Sequence, residues 1–181
     1  MRSFFLLSIV LLASCSEKPV YREESVDISN PSFKGKVVLK SLSSRNGFKL
    51  LLVDDQNIIT DQTIFQYTPY QLDTVDVNHD GSTDILVGLI KPTEFDPTEK
   101  KRLFILRIDD GQLRPLWLGS KVCQELVDFR ASDSGLVRTL EKTKSGNYAI
   151  GEYEWQGFGL ALTQYIHHEI SFEHASQILR Q

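Results

Sequence analysis

The chain has 181 residues, a formal net charge of −4 at pH 7, 41% hydrophobic residues and 24% charged ones. That balance belongs to about one ordinary domain with a real core, not to a disordered or fibrous chain. Lys and Arg are outnumbered by Asp and Glu and form no arginine-rich run, which speaks against nucleic acid as a partner.

The N-terminus reads Met1-Arg2-Ser3, a mostly apolar run from Phe4 to Leu12, then Ala13-Ser14-Cys15. One basic residue, a short apolar stretch and small residues before a cleavage point make a secretory leader. The run is too short to span a bilayer, which takes about 20 residues. The chain is therefore read as leader 1–14, Cys15 with a polar tether over 15–31, and a single β-domain over 32–181. A cysteine directly after Leu12-Ala13-Ser14 resembles the lipobox of bacterial lipoproteins. That resemblance implies a diacylglyceryl group on the Cys15 sulfur, cleavage before Cys15, and a fatty acid such as palmitate on the new amine. It implies a cell-envelope protein held to a membrane by lipid, the partner membrane being met through that anchor. Ser16, in place of the Asp that would resemble an inner-membrane retention signal, favours the outer membrane, on its periplasmic or its surface side. Each buried methylene contributes about 0.8 kcal/mol, so one acyl chain holds weakly and two hold firmly. With Cys15 lipidated, Cys123 stands alone and no intramolecular disulfide forms. Its stretch, Lys121 to Leu126, reads as a small buried core residue among apolar neighbours; a nucleophilic role would need a base that no adjacent residue supplies.

After Asn30-Pro31 the signal is short strands and sharp turns. Strands are expected at Lys36–Lys40, Phe48–Val53, Ile58–Thr60, Thr63–Tyr67 and Tyr70–Val75. Asn46-Gly47 is a two-residue hairpin signal, because both residues tolerate positive φ. Asp84–Ile90 is nearly all apolar, as a strand buried on both faces would be. Arg102–Ile108 and Gln112–Leu118 flank the turn Asp109-Asp110-Gly111. Leu136–Glu141, Tyr148–Trp155 and Leu160–Ile170 follow. Phe172 to Leu179 reads as a short helix with Phe172, Ala175 and Ile178 or Leu179 on one side.

The pattern is all-β. A faint repeat aligns Val75-Asp76, Ile85 and Val87 with Val127-Asp128, Val137 and Thr139, and Asn46-Gly47 with Asp80-Gly81. Units of about 40 to 50 residues have the size of a propeller blade, yet three are fewer than the four or more that close a ring. The expected fold is an antiparallel meander: a propeller-like fragment, an irregular barrel or a sandwich.

The strongest internal motif is Asp76-Val77-Asn78-His79-Asp80-Gly81-Ser82-Thr83-Asp84. Oxygen-bearing side chains alternate, a glycine follows the third, and a carboxylate ends the run. Calcium takes about six to eight oxygens, and alternation lets a tight loop turn successive side chains onto one ion. Gly81 permits the sharp turn and the Ser82 carbonyl can serve as a backbone ligand. Carboxylates packed this closely repel one another until a cation intervenes. An EF-hand would place Glu at the twelfth position; here that is Val87, inside an apolar strand. The loop instead resembles the calcium loops of FG-GAP and VCBS-type repeats, the blades of integrin-like β-propellers. The resemblance implies one calcium site on Asp76, Asn78, Asp80, Ser82 and Asp84, followed at once by the strand Ile85–Val87, with His79 facing solvent. The turns around Asn46-Gly47 and Ser132-Asp133-Ser134-Gly135 lack the full ligand set, so a single site is expected.

Other constellations carry less. His167-His168-Glu169 and Glu173-His174 do not match His-Glu-x-x-His, and on a strand His167 and His168 point to opposite faces. The acidic stretch Thr93 to Glu99, followed by Lys100-Lys101-Arg102, reads as a solvated hairpin tip. Trp155-Gln156-Gly157-Phe158-Gly159 is either core packing at a bend or, with Trp117, an aromatic platform for a sugar or peptide. No catalytic residues emerge. The resulting expectation is a lipid-anchored, calcium-braced module that binds or scaffolds a protein or glycan partner. The alternative is an envelope hydrolase whose carboxylates, scattered in sequence, gather in space.

Overall fold

A computed structural model of the chain describes residues 23–181 except 32, 43–46, 95, 120 and 121. The leader, Cys15 and the start of the tether lie outside the described residues, as does Asn46. The first sheet is β1 (Glu24–Asn30), β2 (Phe33–Ser41), β3 (Phe48–Asp54) and β4 (Ile59–Phe65). The second is β5 (Thr68–Val75), β6 (Asp84–Lys91), β7 (Lys100–Asp109) and β8 (Gln112–Trp117). The third is β9 (Glu125–Ala131), β10 (Val137–Lys142), β11 (Tyr148–Trp155) and β12 (Leu160–Ile170), and helix α1 (Phe172–Leu179) ends the chain. Each sheet is a four-stranded antiparallel meander in sequence order, and no closed barrel forms. Among the described residues no helix is long and apolar enough to cross a membrane.

The sheets pack face to face, and β6 decides how. Its residues alternate between two cores, as the pleat requires. Ile85, Val87 and Leu89 join Val37, Leu39, Leu50 and Leu52 of the first sheet. Leu86 joins Phe129, Val137 and Tyr153 of the third. The run Asp84–Ile90 is thus apolar because both faces are covered. A third cluster forms where Ala175 and Leu179 of α1 cover Leu140 and Ile150. Ser171 caps that helix, accepting from the His174 N–H at 3.3 Å.

Several expectations change. Strand β1 occupies residues assigned to the tether: Val26 and Ile28 alternate with polar neighbours, and Ile28 is buried in the first core. Strand β9 was not expected, and the two short segments at Ile58–Thr60 and Thr63–Tyr67 merge into β4. The link between β2 and β3 is longer than a two-residue turn; the Leu42 N–H reaches the Gly47 carbonyl at 2.8 Å. The repeat is real at the level of sheets: β6 and β10, which it aligned, are both second strands. The alignment through Asn46-Gly47 is not, since it matches β3, a third strand, with β6.

One buried acid holds the link between the second and third sheets. Glu141, with no exposure, accepts from the Thr139 hydroxyl and the Tyr153 phenol, both at 2.6 Å, and from the Gln124 N–H at 2.7 Å. The Tyr153 oxygen in turn accepts from the Cys123 N–H at 2.9 Å. Burial, then this bond to Glu141, drives the Tyr153 phenol far above its ordinary range. Cys123 itself is exposed, contrary to its apolar-leaning stretch: its backbone is tied inward and its side chain is left outside.

Packing at β2 gives a direct test. A Cβ on Gly35 would lie 2.1 Å from the Val53 carbonyl oxygen, which is backbone and cannot swing away. Gly35→Ala is expected to lower stability by about 2–3 kcal/mol in urea unfolding. An unchanged unfolding midpoint would contradict this packing of β2 on β3.

Candidate metal centre

The loop from Asp76 to Asp84 joins β5 to β6 and winds on itself. Gly81 has φ 86° and His79 φ 58°, and left-handed residues this close turn successive N–H groups inward. The Asp76 carboxylate accepts from the Asp80 N–H at 3.1 Å and the Gly81 N–H at 2.9 Å. The Asn78 amide oxygen also accepts from the Asp80 N–H, at 3.2 Å. Asp80 accepts from the Ser82 N–H at 2.8 Å and from the Asn78 side-chain amide at 2.9 Å.

Asp84 differs from the others. It is fully buried, being the first residue of the doubly covered strand. One oxygen accepts from the Val77 N–H at 3.1 Å. The other, Oδ1, has no partner, and among the described residues only Tyr70 Oη and Arg102 Nε share that state. Of the three, Asp84 alone brings negative charge. Burial first, and then the charges of Asp80 and Asp76, push its carboxyl up to about 7 against an ordinary 3.8, although the Val77 N–H pulls the other way.

The loop is also a junction. The Asn30 side chain, at the end of β1, accepts from the Thr83 N–H at 2.6 Å and donates to the Thr83 carbonyl at 3.4 Å. Val77 is buried in the core between the second and third sheets. His79 is exposed, yet its ring lies 2.4 Å from where a Cβ on Gly135 would stand, in the β9–β10 turn. The loop therefore touches all three sheets.

Among the described residues no three His, Cys, Asp or Glu side chains converge closely enough to form a ready-made cation cage. The loop's own N–H groups, and the Asn78 amide turned onto Asp80, occupy that role instead. The donor set nevertheless fits a hard cation. The side chains of Asp76, Asn78, Asp80 and Asp84 and the Ser82 carbonyl are all oxygen donors. No described Lys or Arg pairs with any of the three carboxylates. The bound ion would neutralise the carboxylates and give Asp84 Oδ1 a partner.

The remaining predicted residues do not gather into one site. Trp117 is buried in the core between the second and third sheets, with Gly159 lying against its indole nitrogen. Trp155 packs on that core half-buried, whereas Phe158 is 92% exposed at the tip of the β11–β12 hairpin. The three therefore form no shared platform. His167 and His174 approach with ring centroids 5.8 Å apart, and His168 lies 3.6 Å from Glu169; all are exposed. Asp96 is not a freely solvated loop charge: it pairs with Lys100 at 2.8 Å and Arg102 at 3.2 Å. Hydrogen bonding from Lys100, and then from the Thr98 N–H, lowers its carboxyl to about 2. No family model, curated protein or solved structure matches the chain.

A pH profile isolates Asp84. Its folded value near 7 exceeds its unfolded 3.8, so between those values the native state binds more protons than the unfolded one. Without calcium, that group makes stability fall as pH rises from about 4 to about 7. The contribution of Asp96 runs the other way and lies below that window. Asp84→Asn is expected to flatten the pH 4–7 slope in chelator-treated protein, read as urea midpoints. Parallel profiles for variant and wild type would contradict the assignment.

Proposed function

We propose that this chain is a lipid-anchored module of the bacterial cell envelope, in which one calcium ion braces three stacked β-sheets. Its work is binding or scaffolding. The observation that carries the metal reading is the buried Asp84 carboxylate with an unpartnered oxygen, at the end of a loop whose Asp76, Asn78 and Asp80 follow an FG-GAP-like spacing. A hard cation resolves three costs at once: repulsion among carboxylates, an unmet acceptor, and a buried charge. At the weak end of calcium affinity the ion acts as a structural brace and not as a sensor.

The binding role draws on surface composition. Phe158 and Leu118 are exposed at hairpin and strand ends, and Ile58, just before β4, and Ile59 and Ile64 within it are exposed. Apolar surface of this kind suits a protein or glycan partner. The envelope placement rests on the leader and on Cys15.

Calcium at millimolar concentration is expected to raise the melting temperature of chelator-treated protein by about 1–6 °C, from about 0.4–1.4 kcal/mol of linkage. Asp80→Ala should abolish the response. Cells fed labelled palmitate should label the chain and leave Cys15→Ser unlabelled. Melting indifferent to calcium would sink the brace, and an unlabelled wild-type chain would sink the anchor.

A further inference from the structure

We propose that the cleft between the second and third sheets binds a small phosphorylated molecule. The cleft encloses about 740 Å³, within the roughly 300–1,000 Å³ typical of small-ligand sites. Its described lining includes Thr93 and Asp96 ahead of β7, Gly119, Val122 and Gln124 between β8 and β9, and Lys144 after β10, at the end of β6 away from Asp84, and it does not depend on the β5–β6 loop.

Its charge runs against that of the chain. On a protein of net charge −4, the cleft gathers Lys100, Lys101 and Arg102 from one wall and Lys142 and Lys144 from another. Only Asp96 and Glu125 oppose them among the described lining residues. These cations are not equivalent. Asp96 ties down Lys100 and Arg102. Lys101 donates to the Val127 carbonyl at 2.7 Å and lies 4.6 Å over the Tyr70 ring. The Lys142 and Lys144 ammonium groups have no ion pair or hydrogen bond with any described residue. Glu125 faces Lys142 in the β9–β10 register without pairing to it. Arg102 adds a buried Nε with no partner.

Two features make this a built site and not a loose patch. Leu103, Val122 and Leu126 give it an apolar floor, where the uncharged part of a ligand can rest. The Glu141 and Tyr153 bonds to the Gln124 and Cys123 N–H groups fix one wall from within the core. The excess of positive charge selects among anions. A phosphomonoester carries close to two negative charges at pH 7 and three strong acceptor oxygens, so it can meet several ammonium donors at once. A carboxylate brings one charge.

Cys123 lines the cleft with an exposed side chain, which makes its thiol a reporter. Alkylation by iodoacetamide is followed by mass spectrometry of the Cys123 peptide. Phenyl phosphate is expected to slow it saturably, inorganic phosphate more weakly, and benzoate least. Lys142→Glu combined with Lys144→Glu should raise the half-protecting concentration of phenyl phosphate about tenfold or more, with the melting temperature in buffer unchanged. Lys142→Gln with Lys144→Gln, a milder change that leaves folding less in question, should shift it in the same direction by less. No protection at about 10 mM phenyl phosphate, equal protection in the charge-reversed protein, or equal protection by benzoate would each overturn the proposal. Protection by vesicles of phosphatidylcholine and phosphatidic acid without protection by phenyl phosphate would overturn it in favour of a membrane surface.

Discussion

A carboxylate without exposure, one of its oxygens unmet, sits where all three sheets come together. Asp84 opens a strand that feeds two cores at once, so it cannot move outward without dragging Ile85 and Leu86 from their neighbours. A buried ionised carboxylate is costly unless it is protonated, paired or bound to a cation. Asp76 and Asp80 raise that cost by adding like charge. The loop that carries them is gripped by Asn30 from the first sheet and lies against Gly135 of the third. Whatever satisfies Asp84 therefore bears on how the sheets meet, and a cation in the loop would act on the whole stack.

The other end of the stack solves its polar problem with neutral donors. Glu141 is as buried as Asp84, yet hydroxyl, phenol and backbone N–H groups surround it. The Tyr165 phenol adds a longer bond at 3.3 Å, and burial and the charge of Glu141 push that phenol up to about 12. Of the buried acids Glu141 and Asp84, only Asp84, in the β5–β6 loop, is left with an unmet oxygen. Charge also divides along the molecule: acidic at the β5–β6 loop, basic around the cleft at the opposite end of β6.

The all-β class, the doubly buried β6 and the C-terminal helix were legible in the sequence, because each rests on a local pattern: alternating or continuous apolar runs and a 3.6-residue period. What escaped depended on partners distant in sequence. Strand β1 was hidden because its two apolar residues, Val26 and Ile28, sit in a polar stretch, and only the first core makes sense of them. Strand β9 was hidden by the unmarked link before it, which is held by Glu141 from another strand. Trp117 read equally as core or as part of a platform, and only the sheet packed above it places it in the core. The basic cleft has no sequence signature at all. Its cations lie in separate hairpins, and Lys100-Lys101-Arg102 looked like counter-charge to the acidic tip beside it.

Calorimetric titration of calcium into chelator-stripped protein near pH 7.5 tests the central claim most directly. One ion per chain, with a dissociation constant on the order of 10⁻⁴ to 10⁻³ M and no binding to the Asp84→Asn protein, is the expected result. The absence of saturable heat in the wild-type chain, or the same isotherm from the variant, would contradict it.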